Sequence, residues 1–447
     1  MSGLSGRELA RKLVHMAVGG IAFAVRPLGP LGAVACAVAA VVHNAFLFPI
    51  YGGRRLWRAG EASSGYALGI VLYPVTVLLL LLLYWNRLEV AAAVWGILAF
   101  GDGMAGIVGP ALGRSNPLPW NPKKSWAGTL AFFVFGGAGA FALVQWTAPG
   151  RYETGFALAV AAIVAAFAAA LESLPQGLDD NFGVPLVTSV LLACLLATQG
   201  NWGVVTTPEF LTGAGIGLAV NLALAAAAFA TGGVGVGGAL VGTLLGTTIW
   251  AFAGWRGFAL LFAFFVLGTA ATKAGYARKA AAGIAQEKGG RRGPGNALSK
   301  TTVPAAAAVF AATTDRPVLF LLALAGAFAT AAMDTVSSEI GKAYGRRTFL
   351  ITTLKSVPRG TDGAVSLEGT LAGLAAAVAL GGLGWALDLF PALGAAAVVV
   401  AAFVATTLES LVGATLEKRG LLDNDAVNFL NSLAGALLAA GAGALLL

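Results

Sequence analysis

Four carboxylates and a basic, glycine-rich segment in the first half of the chain could do chemistry together. Asp102 closes one apolar stretch, Glu172 closes another, and Asp179 and Asp180 follow shortly after. These are hard oxygen donors of the kind that suit Mg²⁺, which takes one or two carboxylates and fills its shell with water and substrate phosphates. Between them lie Arg114, Lys123 and Lys124 as charge for those phosphates, with Gly109, Gly113 and Gly128 allowing backbone N–H groups to approach. Such parts serve phosphoryl or nucleotidyl transfer. A second set follows in the other half. Asp334, Glu339, Glu409 and Asp423 are its acids, and Lys288, Arg291, Arg292 and Asn296 stand in a stretch too rich in glycine to remain helical. Asp102 with Asp180, and Asp334 with Asp423, are the candidate metal ligands; helix-end charges bonded to a neighbouring cap are the other reading of these acids.

The elements that hold these residues lie in lipid. A mean hydropathy of +0.83 with 11% charged residues excludes a soluble fold of 447 residues. Apolar stretches near the roughly 20 residues of a spanning helix recur throughout. The expected fold is therefore an all-α integral membrane protein of about fifteen transmembrane helices, seven before and eight after a break at 199–208, with the N-terminus cytosolic. Residues 1–199 and 210–447 form the two expected domains, joined by a linker at 200–209. The least certain boundaries are the pair of spans after Thr231 and the short span after Val303. The basic N-terminal segment lacks a small-residue cleavage site before Arg26 and is expected to be retained. With this topology, all of the 28 basic residues fall inside except Arg26, Arg87, Arg151, Arg256 and Arg316. The net charge of +8 thus lies on one face, where it suits anionic headgroups or phosphorylated substrates. Cys36 and Cys194, both in apolar stretches, support neither a disulfide framework nor a metal site.

The two halves repeat one another. Asp102, Gly109, Gly113, Lys124-Ser125 and Gly128-Thr129-Leu130-Ala131 are matched in order by Asp334, Gly341, Gly345, Lys355-Ser356 and Gly369-Thr370-Leu371-Ala372. Leu-Glu-Ser-Leu then recurs at 171–174 and 408–411, followed by Asp180-Asn181 and Asp423-Asn424. The order predicts a duplication in which both copies run parallel, with their polar residues on one face. His15 stands one turn beyond Arg11 and Lys12, on a helix that could cover a phosphate site, and His43-Asn44 reads as an interhelical hydrogen-bonding pair. The glycines from Gly233 to Gly246 read as helix packing rather than as a dinucleotide fingerprint, since no strand precedes them.

Glu8-Leu-Ala-Arg11-Lys12-Leu-Val-His15, Gly101-Asp102-Gly103-Met-Ala-Gly106 and Pro119-Trp-Asn121-Pro-Lys123-Lys124-Ser125-Trp-Ala-Gly128-Thr129 together resemble the phytol, farnesol and dolichol kinase family, a relative of the phosphatidate cytidylyltransferases. Residues 210–447, through Glu287 to Asn296, Asp334-Thr-Val-Ser-Ser-Glu339-Ile-Gly341, Gly360-Thr-Asp-Gly363 and Glu409-Ser-Leu-Val-Gly413-Ala-Thr, resemble the membrane family of plant phytyl-phosphate kinase. The double resemblance implies a fusion that phosphorylates a prenyl alcohol to the monophosphate with CTP and then to the diphosphate. CTP or ATP would be the donor and Mg²⁺, or Mn²⁺, the cation. It implies catalytic work for Asp102, Glu172, Asp179, Asp334, Glu339 and Glu409. Nucleotide binding would fall to Arg114, Asn121, Lys123, Lys124, Ser125, Lys288, Arg291, Arg292, Asn296 and Lys355. The expected setting is the inner cell membrane with both sites facing the cytosol, in one copy or several, and with no nucleic-acid partner. Two rival readings are a phosphatidate cytidylyltransferase, disfavoured by Leu178-Asp-Asp-Asn-Phe-Gly-Val-Pro185 where that family's signature would stand, and a transporter, whose site would lie at the bilayer midplane.

Overall fold

Helices follow from the caps as much as from the hydropathy. The computed structural model describes residues 6–51, 68–113, 116–175, 177, 179–286 and 293–447. The chain divides into two compact units, Met1–Gly200 and Asn201–Leu447. In the first, α1 (Gly6–Gly19), α2 (Val25–Val42), α3 (Leu68–Leu83) and α4 (Leu88–Gly96) lead into a π-helical turn at Ile97–Asp102 and α5 (Gly103–Leu112). A two-stranded antiparallel hairpin, β1 (Pro117–Leu118) and β2 (Asn121–Ser125), precedes α6 (Trp126–Thr147), α7 (Thr154–Ser173) and α8 (Asp180–Ala197). Ser125 ends β2 in extended backbone and accepts the Gly128 N–H, so the strand turns into α6 without a loop. Glu153 and Asp179 cap α7 and α8 in the same way.

The second unit contains α9 (Pro208–Ala230), α10 (Val236–Lys273), α11 (Tyr276–Ala281), α12 (Pro294–Thr313) and α13 (Pro317–Tyr344). The hairpin β3 (Thr348–Leu350) and β4 (Ala364–Ser366) is followed by α14 (Leu367–Ala386), α15 (Ala392–Val412) and α16 (Asn424–Leu446). Ser366 accepts from Gly369 N–H with nearly the backbone angles of Ser125, and Asp423 caps α16. The order of acid-bearing helix, hairpin, serine-capped helix, glutamate-bearing helix and aspartate-capped helix therefore occurs in both units.

The innermost helices are those that carry Asp102 in the first unit and Asp334 with Glu339 in the second. In Leu88–Leu112 and Pro317–Tyr344, 72% of the apolar window is buried, against at most 39% in any other candidate span. Small residues allow this burial, as expected where lipid supplies no hydrophobic drive between helices. A Cβ on Gly96 would stand 3.1 Å from the Gly139 backbone of α6, and one on Gly326 2.6 Å from the Gly435 carbonyl oxygen of α16. Gly246 likewise packs against Asn221, where a Cβ would meet the amide oxygen at 2.1 Å.

Among the described residues, eleven helices are long and apolar enough to cross a membrane, fewer than the fifteen or so spans expected. The difference has local causes. Glu8–Leu47 and Val236–Lys273 each join two expected spans through a glycine of positive φ, 64° at Gly29 and 66° at Gly254, beside the Arg26 and Arg256 that mark the expected outside loops. Leu68–Leu83 is short, and Pro294–Thr313 does not reach the apolarity of the others.

Candidate active site

Asp102 ends the π turn, an irregularity that often marks functional positions in helices. Lys12 of α1 donates to its Oδ2 at 2.7 Å and to its backbone oxygen at 3.2 Å. His15, one turn on, brings Nε2 to 3.6 Å from the same Oδ2 and to 3.1 Å from the Leu98 carbonyl oxygen. The His15 ring packs on Tyr73, whose hydroxyl accepts from Trp95 Nε1 at 2.8 Å. Lys12 was absent from the set expected to act; its pairing with Asp102 across 90 residues is a tertiary fact.

Lys124 leaves β2 to join two further acids. Its Nζ donates to Glu172, buried on the last turn of α7, and at 2.9 Å to Asp180 Oδ2. Burial works against the ammonium, but Glu172 and Asp180 outweigh it and hold the Lys124 pKa above the ordinary lysine value. Asn121 is buried and spent on the chain itself: Nδ2 donates to the Ser173 carbonyl at 3.1 Å, and Oδ1 accepts from Lys123 N–H at 3.3 Å. It thereby fixes the hairpin to the end of α7. Ser125 caps α6 and abuts Gly113, where a Cβ would stand 2.0 Å from its Oγ. Arg114 lies outside the described residues.

These groups surround two cavities that share a rim. A pocket of about 690 Å³ is lined by Lys12, Asp102, Lys123, Lys124, Glu172 and Asp180, with Gly106, Gly109, Gly113 and Gly128 along its wall. A second cavity of about 640 Å³ shares Lys12, Asp102 and Asp180 with it but runs on between α1, α2 and α3 past Val18, Val25, Ala33, Ala37 and Val77. Asp179 belongs to this second cavity. Its Oδ1 accepts from Asn181 N–H at 2.9 Å and from Asn181 Nδ2 at 2.8 Å, leaving Oδ2 toward Gly69. Near the same rim Asn44 donates to the Ile70 carbonyl at 3.0 Å and His43 bonds Asn44 at 2.8 Å, the interhelical role read from the sequence.

In the second unit Lys300 of α12 donates to Asp334 Oδ2 and to Thr335 Oγ1, each at 2.8 Å, a pairing like that of Lys12 with Asp102. Glu339 is buried in an ion pair with Lys279 of α11, whose Nζ also donates to the Thr272 carbonyl at 2.8 Å. Lys300 and Lys279, like Lys12, were not anticipated as partners of the acids. Glu409 on α15 has Asp334 and Lys300 as its leading charged neighbours. Asp423 caps α16 through the Ala426 N–H at 2.8 Å and is exposed, while Asp425 lies against the start of α12 at Gly295. Asn296 is half-buried in the first turn of α12.

Lys355 departs from the expected equivalence with Lys124. It stands exposed in the turn between β3 and β4, and the residue before the capping serine is Val365. Lys288, Arg291 and Arg292 lie outside the described residues.

No group of three or more His, Cys, Asp or Glu side chains among the described residues forms a ready metal cage. Asp102 and Asp180 on one pocket nevertheless fit the modest demand of Mg²⁺, which leaves most of its shell to water and phosphate.

Fold and site together define a polytopic helical membrane protein with an acid- and lysine-lined pocket beside an apolar one. The integral membrane protein family DUF92 matches residues 219–436. A membrane protein of Synechocystis is 47% identical over 201 residues, 44% of this chain and 78% of that protein. The chloroplastic protein VTE6 of Arabidopsis thaliana is 44% identical over 217 residues, 46% of this chain and 64% of VTE6. A probable chloroplastic phytol kinase of Zea mays is 32% identical over 206 residues, 42% of this chain and 67% of that protein. No solved structure matches. The chain belongs to the phytol kinase-like family of integral membrane proteins.

Proposed function

We propose that the first unit is a prenol kinase and the second a prenyl-phosphate kinase, acting in series from the cytosolic face of the inner cell membrane. The observation that carries the first assignment is the pair of cavities meeting at Lys12, Asp102 and Asp180, one glycine-lined and charged, the other apolar. A nucleoside triphosphate, CTP in the first instance, occupies the charged pocket, and a prenyl alcohol occupies the apolar one with its hydroxyl at the shared rim.

Lys123 and Lys124 hold the donor phosphates, and the glycines bring backbone N–H groups close to them. Asp102 and Asp180 would hold Mg²⁺, which supplies neutralising charge to the phosphates when bound. The prenol oxygen forms a bond to the γ-phosphorus, the bond from that phosphorus to the bridging oxygen breaks, and the nucleoside diphosphate leaves. The hydroxyl proton passes to Asp179, whose Oδ2 faces the acceptor cavity; Glu172 stands on the donor side and is engaged by Lys124. The prenyl monophosphate stays in the leaflet, since each buried CH₂ contributes about 0.8 kcal/mol to anchoring.

For the second unit, support comes from its resemblance to the prenyl-phosphate kinase family and from the Lys300–Asp334 pair. With Val365 where the first unit has Lys124, its donor charge comes from other residues; Lys300 is the nearest to Asp334. The test uses purified protein in detergent with Mg²⁺, phytol or farnesol, and CTP labelled at either the α or the γ phosphorus. Label from the γ position alone in the prenyl product supports kinase chemistry. Product carrying α label, or CDP-lipid formed from phosphatidate, overturns it in favour of cytidylyl transfer.

A further inference from the structure

The apolar cavity has a measurable depth. One wall starts at Lys12 of α1 at the rim and continues through the 3-10 turn at Gly20–Ala24 to Leu28 in the first turn of α2, sixteen residues or about 24 Å of helix. On α2 the lining goes the other way: His43 and Asn44 stand at the rim beside Ile70, then Ala37 and Ala33 follow six and ten residues back, about 9 and 15 Å deeper. The break at Gly29 lies just beyond. An extended isoprene unit adds four main-chain bonds, about 5 Å at roughly 1.2 Å per bond, the advance of a stretched chain. Ala37 is then level with the end of the second unit, Ala33 with the end of the third, and Leu28, about 24 Å from the rim, lies just short of the end of the fifth.

We infer that Ala33, Ala37 and Leu28 set the length of the prenyl chain this unit accepts, with an upper limit just under five isoprene units. The inference rests on the prenol kinase reading of the same site and adds the selection by length. Both alanines are buried side chains whose small size keeps the shaft open, and Leu28, 44% exposed, lines its far end.

The experiment compares kcat/KM for geraniol, farnesol, geranylgeraniol and a five-unit prenol in wild type, Ala37→Phe, Ala33→Phe and Leu28→Ala. Ala37→Phe is expected to keep geraniol and lose about tenfold or more on farnesol and longer chains. Ala33→Phe should keep farnesol and lose geranylgeraniol to a similar extent. Retained turnover of the short prenol shows that each filled variant is folded. Leu28→Ala, which removes side-chain bulk instead of adding it, should raise the five-unit prenol relative to geranylgeraniol. Wild-type activity on prenols with unchanged length ratios in all three variants would overturn the length rule and leave the kinase reading standing. No turnover of any prenol by wild type would overturn both.

Discussion

Replacing Lys124 with Met should separate the structural from the chemical work of one side chain. Its Nζ is the cation bonded to Glu172, whose side chain is 6% exposed, while the other arm reaches Asp180 at 38% exposure. Breaking a buried pair costs about 3–5 kcal/mol and an exposed one at most about 1. Lys124 stands between these limits at 27% exposure on a pocket that admits water, so about 2 kcal/mol is the expected loss. For a unit of this size that lowers Tm by roughly 4–8 °C. Most of the loss comes from stranding Glu172, so Lys124→Met/Glu172→Gln should recover half or more of it. Phosphoryl transfer should not recover, because the donor phosphates still lack one of their two lysines. Thermal unfolding in detergent gives the first quantity and label transfer the second. A single variant that melts with wild type, or a double variant that is less stable than the single, would refute the reasoning.

The pH dependence of the same residue has a definite sign. Lys124 has its pKa raised in the folded protein, so its contribution is complete below the ordinary value of 10.5 and is lost as pH rises through the folded value. The stability gap between wild type and Lys124→Met should therefore narrow in alkaline buffer and stay constant from pH 7 to 9, read by denaturation at each pH. Asn121→Ala removes a buried hydrogen bond to Ser173 and should cost about 1–2 kcal/mol while raising the nucleotide KM more than it lowers kcat, because the hairpin carrying Lys123 and Lys124 is loosened. Gly113→Val forces a Cβ onto Ser125 Oγ and should close the donor pocket, abolishing nucleotide binding measured by calorimetry. Chelation of divalent cations should stop transfer, and added Mg²⁺ should restore it.

The class of fold was legible because lipid imposes a length and an apolarity on every span, and both are written in consecutive residues. The breaks near Gly29 and Gly254 were legible in position, because Arg26 and Arg256 mark outside loops there. Their form was not: the chain changes direction through a single glycine backbone angle within a continuous helical stretch. In the first unit the sequence named the acids and Lys124 that line one pocket, since they cluster at helix ends. Lys12, Lys279 and Lys300 escaped because a partner 34 to 90 residues away is chosen by packing. The misplacement of Lys355 came from matching a Lys-Ser pair. The better signal was a Ser-x-x-Gly at the opening of a span, where the serine hydroxyl meets the third N–H of the helix, as it does at Ser125 and Ser366.

The most direct test of two sites in series resolves prenyl monophosphate from diphosphate after incubation with γ-labelled CTP or ATP, in wild type, Asp102→Asn and Asp334→Asn. Two active units predict both products in wild type, neither in Asp102→Asn supplied with prenol, and monophosphate alone in Asp334→Asn. Diphosphate formed by Asp334→Asn at the wild-type rate, or monophosphate formed by Asp102→Asn, would contradict it.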